Sequence, residues 1–175
     1  MLVSVVGCTS SQAQDPFTGV RAVSEPLPIL SGKDLQGKQL STQDLAGRIL
    51  VVNAWATWCT PCEREQPALV EVANRYADRG VAFLGINHAD QDAKASDWIQ
   101  HYHVPYPSLS DPAGHFAATL GYIGLPDTYV VDATGTIRYV IAGATSVDQL
   151  SGFLDEMLAA QTRASSATAT NSPAK

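Results

Sequence analysis

The chain predicts an α/β fold in which a mixed central sheet, βαβ then ββα, is flanked by helices and preceded by an N-terminal β-hairpin. Three observations carry this. Two nearly continuous apolar runs, Ile49-Leu50-Val51-Val52-Asn53-Ala54-Trp55 and Val81-Ala82-Phe83-Leu84-Gly85-Ile86-Asn87, read as central strands buried on both faces. Between them Leu69, Val72, Ala73 and Tyr76 recur at helical spacing, so the order strand, helix, strand implies a crossover joining parallel strands. Beyond them, two short strand-type runs and a last amphipathic stripe complete the ββα half.

The elements follow in chain order. Pro28-Ile29-Leu30 and Gln39-Leu40-Ser41, with Gly32 and Gly37-Lys38 between them, form a short hairpin whose turn the glycines supply. The first central strand is bounded by Gly47, and the first helix ends near Asp78-Arg79-Gly80, with Gly80 as its left-handed cap. Lys94 to Tyr102 is a modest helix, and His115 to Leu120 a shorter one after the Asp111-Pro112-Ala113-Gly114 turn. Thr128-Tyr129-Val130-Val131-Asp132 and Ile137-Arg138-Tyr139-Val140-Ile141 flank Ala133-Thr134-Gly135-Thr136 as an antiparallel hairpin. Val147, Leu150, Phe153, Leu154, Met157 and Leu158 make the closing helical stripe, opened by a capping box of Ser146 and Gln149.

With 175 residues and 45% hydrophobic content, the chain has material for one domain around one core. Eleven basic and 17 acidic residues give a net charge of −6 with no basic run, which excludes a nucleic-acid partner, since phosphate neutralisation needs clustered positive charge. No stretch approaches the ~20 apolar residues of a membrane span. At the start, Val5-Val6-Gly7-Cys8 followed by a polar tract resembles the lipobox of bacterial lipoprotein signals, in which the cysteine receives a diacylglycerol. No Lys or Arg precedes Arg21, so residues 1–23 are expected to be a signal remnant and flexible tether, with Cys8 as the lipidation site. Residues 24–160 form the domain, and residues 161–175, which are mostly Ala, Ser and Thr, are expected to be a disordered tail.

The chemistry concentrates at Trp58-Cys59-Thr60-Pro61-Cys62, a C-x-x-C directly after a buried strand and at the start of a helix. The helix N-terminus offers unsatisfied N–H groups and the positive end of the macrodipole, and both stabilise a thiolate. Such placement lowers a cysteine pKa from about 8.5 into the range of roughly 3.5 to 7.5. Cys59 is therefore the expected nucleophile. Cys62, one turn further on and more buried, suits the resolving role. Pro61 is tolerated because the first turn needs no donor there. Half a zinc site would need two further ligands in a second paired motif, which the chain lacks. A structural bridge closing so short a loop would constrain the unfolded chain little.

The stretch Asn53-Ala54-Trp55-Ala56-Thr57-Trp58-Cys59-Thr60-Pro61-Cys62-Glu63-Arg64-Glu65-Gln66-Pro67, with Gly124-Leu125-Pro126-Asp127-Thr128-Tyr129 downstream, resembles the thioredoxin-fold, TlpA/ResA/DsbE-like thiol-disulfide oxidoreductases of the bacterial cell envelope. The likeness spans the whole domain. It implies that Cys59 attacks and Cys62 resolves, that Pro126 is a cis-proline facing them, and that Trp58 covers the disulfide. It also implies that the backbone of Leu125 pairs with an extended substrate segment, as in strand addition. Glu65 matches an acidic residue that passes a proton to or from the buried cysteine; a carboxylate in the first turn of a helix serves equally as a dipole partner. Asn53 stands where cytoplasmic thioredoxins carry a buried Asp, which places the chain in the envelope branch. No bound cofactor or metal is needed, nothing in the pattern demands more than a monomer, and the lipobox would hold the protein to the outer face of the cytoplasmic membrane through Cys8. Its partners would be exported disulfide proteins, such as apocytochrome c with its haem-binding cysteines, and a membrane thiol electron donor.

Three other readings share some of these residues. The same dithiol runs as a disulfide oxidase or isomerase if its reduced form is stabilised. A peroxiredoxin needs Thr three residues before and Pro seven residues before its cysteine, but Ala56 precedes Cys59 by three and Trp55 precedes Cys62 by seven. A copper-binding assembly factor would use Cys59, Cys62 and a histidine such as His88, at the C-terminal end of the second central strand. His101 and His103 read as loop side chains, and Pro67 is expected to kink the active-site helix or to mark an irregular turn within it.

Overall fold

The structure, a computed structural model, describes residues 19–170. Its centre is the pair β4 (Ile49–Trp55) and β5 (Val81–His88), in which every residue is buried, preceded in the chain by β1 (Gly19–Pro26), β2 (Ser31–Lys33) and β3 (Gln39–Ser41). β4 and β5 run parallel from Ile49 opposite Val81 to Trp55 opposite Asn87, joined through α1 (Thr60–Tyr76). After α2 (Asp92–His101), β6 (Ser108–Asp111) adds in parallel to β5. After α3 (His115–Thr119), β7 (Asp127–Val131) runs antiparallel to β4, and β8 (Thr136–Ala142) antiparallel to β7. α4 (Val147–Thr170) closes the chain. The six-stranded order is β1-β8-β7-β4-β5-β6, and β2-β3 stands apart as the expected hairpin, with its first strand at Ser31–Lys33 and not at Pro28–Leu30.

Alternation along the central strands sorts the core into two layers. Ile49 and Val51 of β4 meet Val81 and Phe83 of β5 on one face, under Leu69, Val72 and Tyr76 of α1 and Leu150, Leu154 and Met157 of α4. Leu50 and Val52 meet Ala82, Leu84 and Ile86 on the other, with Leu30, Leu40 and Phe116 from the hairpin and α3 regions. A third, smaller cluster gathers where β4 ends: Trp55, Ala56, Cys59, Cys62 and Ala95, with Trp98 of α2 and Leu125 against it. Gly80 ends the turn after α1 with φ 79, as its position predicts. Ser146 accepts from the N–H of Gln149 at 3.2 Å, but the Gln149 side chain accepts from the Thr145 hydroxyl at 3.0 Å instead of completing the box.

The structure departs from the expected boundaries at both ends. The tether was expected to reach Val23, yet β1 starts at Gly19 and pairs with β8 from Gly19 opposite Ala142 onward. Its side chains are nearly all exposed, so the strand is held by backbone pairing to an open sheet edge and has no apolar pattern to reveal it. The tail was expected to be disordered from Gln161, yet α4 continues to Thr170. Extending a helix already formed on an apolar stripe needs no new nucleation, and alanine is the best propagator. β6 likewise carries no strand signal, since only Leu109 of its Ser-Leu-Ser-Asp is apolar. Cys8 and the lipobox lie outside the described residues. Among the described residues no helix is long and apolar enough to cross a membrane.

Candidate active site

The end of β4 delivers the chain into a turn, Ala56–Trp58, and Cys59 becomes the N-cap of α1. Proline at the start of the helix costs nothing there, and Pro67 lies within α1, which continues through it to Tyr76. Cys59 and Cys62 form a disulfide with S–S 2.07 Å and Cα–Cα 5.3 Å. The N–H of Cys62 donates to Cys59 Sγ at 3.2 Å, so a helix-terminal donor is aimed at a sulfur whose thiolate it would favour. Both cysteines are buried, Cys62 more deeply than Cys59.

Glu65, one turn after Cys62, is buried at 2% exposure. Its Oε1 accepts from Asn53 Nδ2 at 2.9 Å, and its Oε2 accepts from the N–H of Thr145, just before α4, at 2.9 Å. Burial pushes the carboxyl up to about 7 against the lowering effect of these two donors, and the charge of Asp127 adds to the rise. Asn53 Nδ2 also donates to Thr128 Oγ1 at 3.0 Å, while its Oδ1 is buried with no hydrogen-bond partner. Exchanging the two ends of that amide would offer a protonated Glu65 an acceptor. The site therefore suits a carboxyl that gains and loses a proton near neutrality.

Trp58 is 59% exposed and Leu125 half-buried, and the Leu125–Pro126 peptide bond is cis. Pro126 is buried, and its carbonyl accepts from Gly143 N–H at 2.8 Å, which ties the segment before β7 to the end of β8. Among the described residues, neither the N–H nor the carbonyl of Leu125 pairs with another group. Leu125 shares a cluster with Cys59 and Cys62, so the two distant motifs meet at one surface.

The structure adds residues that sequence reasoning did not single out. Asp90, in the β5–α2 turn, accepts from Thr57 N–H at 2.6 Å, Thr57 Oγ1 at 2.9 Å, Asn87 Nδ2 at 3.1 Å and Gln91 N–H at 2.8 Å. Burial pushes its carboxyl up, but these four donors outweigh it and hold the group below the ordinary carboxylate range. Asp127, the residue after Pro126, is buried, and desolvation raises its carboxyl despite donors from Ile123 N–H and the Tyr129 hydroxyl. Asp90 carries no periodic or motif signal, and Thr145 acts through its backbone, which no sequence displays. His88, weighed as a copper ligand, has Nε2 at 2.7 Å from the Tyr122 hydroxyl and packs beside Trp58. His101 and His103 are exposed, as expected.

Residues 23–140 match the AhpC/TSA family. The chain is 36% identical over 140 residues to the thiol:disulfide interchange protein DsbE of Pseudomonas fluorescens biotype C, covering 79% of this chain and 71% of that one. It is 27% identical over 157 residues to the thiol-disulfide oxidoreductase ResA of Bacillus thuringiensis subsp. konkukian, covering 90% and 91%. Among solved structures, a secreted thiol-disulfide isomerase from Corynebacterium glutamicum superposes with a TM-score of 0.72 at 27% identity, covering 79% of this chain and 89% of that one.

Proposed function

Since the chain belongs to the AhpC/TSA family and is a thioredoxin-fold thiol-disulfide oxidoreductase of the DsbE and ResA type, we propose that it reduces disulfides of specific exported proteins, the haem-binding cysteines of apocytochrome c among them. The observation that carries this is the asymmetry of the pair: Cys59 caps α1 under the N–H of Cys62, while Cys62 is buried one turn before Glu65, whose carboxyl burial pushes up to about 7. The Cys59 thiolate attacks one sulfur of the substrate disulfide, forming a mixed disulfide and expelling one substrate thiolate. Glu65 takes the proton of Cys62. The Cys62 thiolate then attacks Cys59 Sγ, closing the enzyme disulfide and expelling the second substrate thiolate. One substrate disulfide becomes a dithiol as the enzyme dithiol becomes a disulfide, and a membrane thiol donor restores the enzyme.

The substrate segment lies extended beside Leu125, whose free N–H and carbonyl support strand addition, with Trp58 covering the sulfurs. The protein is exported and held at the outer face of the cytoplasmic membrane through a lipid on Cys8; a secreted relative supports export, and the lipobox resemblance supports the anchor. It acts as a monomer.

The test is trapping. Reduced Cys62→Ser protein mixed with an apocytochrome c disulfide is expected to accumulate a dithiothreitol-sensitive mixed disulfide through Cys59, and Cys59→Ser to form none. A reduction potential at or below about −250 mV sets the direction as reduction, whereas about −120 to −180 mV would make the protein an oxidase or isomerase.

A further inference from the structure

The end of β5 stands between two walls, the turn that carries Trp58 and Cys59 and the 121–125 segment that leads into Pro126. His88 is 8% exposed, and its Nε2 lies 2.7 Å from the Tyr122 hydroxyl, with the two ring centroids 4.6 Å apart. On its other side the imidazole meets the Trp58 indole edge-on, centroids 6.5 Å apart. Trp58 belongs to the turn that carries Cys59, and Tyr122 to the 121–125 segment that leads into Pro126. One side chain thus touches the cysteine motif and the segment just before the cis-proline without belonging to either.

The imidazole has little freedom to leave this position. A Cβ on Gly114 would stand 2.7 Å from His88 Cε1, so the backbone of the turn before α3 is pressed against the ring. The carboxylate that faces it, Asp111, is committed by Oδ2 to the N–H groups of Phe116 and Ala117 at 3.0 and 3.1 Å, and stands 3.9 Å from Nδ1. Nδ1 itself is buried without a hydrogen-bond partner, an expense a purely packing residue would avoid. The next residue, Ala89, adopts φ 46, a left-handed conformation that a non-glycine residue takes at a cost. Its carbonyl accepts from Trp58 Nε1 at 3.1 Å, so His88 and the residue after β5 hold the indole together. Beyond Tyr122, Ile123 is 55% exposed; it and Trp58 are the two large exposed apolar side chains on these walls.

Resting on the reading that an extended segment docks beside Leu125, we infer that His88 is a positioning residue that fixes the distance between the Trp58 and Tyr122–Ile123 walls, and so sets the affinity for substrates with an apolar side chain next to the reacting cysteine. It contributes to docking and not to the exchange of sulfurs, because among the described residues no hydrogen bond or ion pair joins it to either cysteine.

The experiment separates those steps. Pre-reduced protein is mixed with an excess of a synthetic peptide disulfide carrying leucine beside one cysteine, acid-quenched, and followed by mass spectrometry. The half-saturating concentration reports docking, and the plateau rate reports exchange. His88→Ala is expected to raise the half-saturating concentration about tenfold with the plateau rate within twofold, and to lose the preference for leucine over serine beside the cysteine. Tyr122→Phe, which keeps the ring and removes only the hydroxyl, is expected to shift the half-saturation in the same direction by a smaller factor, and it guards against a folding failure of the first variant. Half-saturation unchanged in both variants, or a fall confined to the plateau rate, overturns the proposal. Failure of the wild-type protein to exchange with the peptide at all would instead sink the underlying reading of the site.

Discussion

The side-chain amide of Asn53 holds Oε1 of Glu65 at 2.9 Å, joining the middle of the central strand β4 to the helix that carries both cysteines. Together with the Thr145 N–H on Oε2, it suspends a carboxyl inside the core, where burial dominates and the group titrates near 7. That position decides what Glu65 can do and what it costs.

If Glu65 carries the proton of Cys62, Glu65→Gln keeps a side chain of the same shape and loses the proton acceptor. The rate at which Cys62 resolves a mixed disulfide is expected to fall on the order of 100-fold, and the inflection of that rate near pH 7 to vanish. Stopped-flow measurement from pH 5 to 9 decides the point. An unchanged profile would leave Glu65 only as a partner of the helix dipole.

The same carboxyl makes stability depend on pH. Its folded value, about 7, lies above its ordinary value of 4.5, so between these the native state binds more protons than the unfolded chain. Stability is therefore lost as pH rises from about 4.5 to about 7 and levels off above. Denaturant unfolding of the oxidised protein at pH 4.5 and 7.5 should show the wild type losing on the order of 3 kcal/mol relative to Glu65→Gln over that interval.

Asp90 behaves in the opposite sense. Its carboxylate is held below the ordinary range, so the stability it contributes is present above the ordinary carboxylate value and disappears as pH falls through its depressed folded value. Asp90→Ala frees the Thr57 N–H and hydroxyl beside the cysteines and is expected to cost about 1–2 kcal/mol at pH 7. Thermal melts stepped down from pH 7 should show the difference shrinking as Asp90 becomes protonated.

Gly85 of β5 stands opposite Ser108 of β6. A Cβ there would meet Ser108 Oγ well inside contact distance and stand 2.8 Å from Trp55 Nε1, which itself donates to Ser108 Oγ at 3.3 Å. Gly85→Ala is expected to destabilise the domain by about 1–3 kcal/mol through this overpacking, measured as a shift of the urea midpoint with an unchanged slope.

The closing hairpin and last helix, the central strands and the dithiol at a helix start are all readable in the sequence, because apolar runs of one period and a C-x-x-C at a strand-to-helix junction are local signals. β1 and β6 are not readable, since they join the sheet through backbone bonds at its edges and their side chains carry no pattern. Glu65 was legible as a candidate with two roles open. Its burial, and hence its titration near 7, belongs to Asn53, Thr145 and Asp127, which lie 12, 80 and 62 positions away in the chain. By itself the sequence determined the address of the disulfide pair and the layers of the fold, since propensity and periodicity act between near neighbours. Only the tertiary structure decided the protonation of Glu65, the clamp of Asp90 on Thr57 and the place of His88 between Trp58 and Tyr122, because desolvation and hydrogen bonding depend on which distant segments the packed core brings within 3 Å or so of one another.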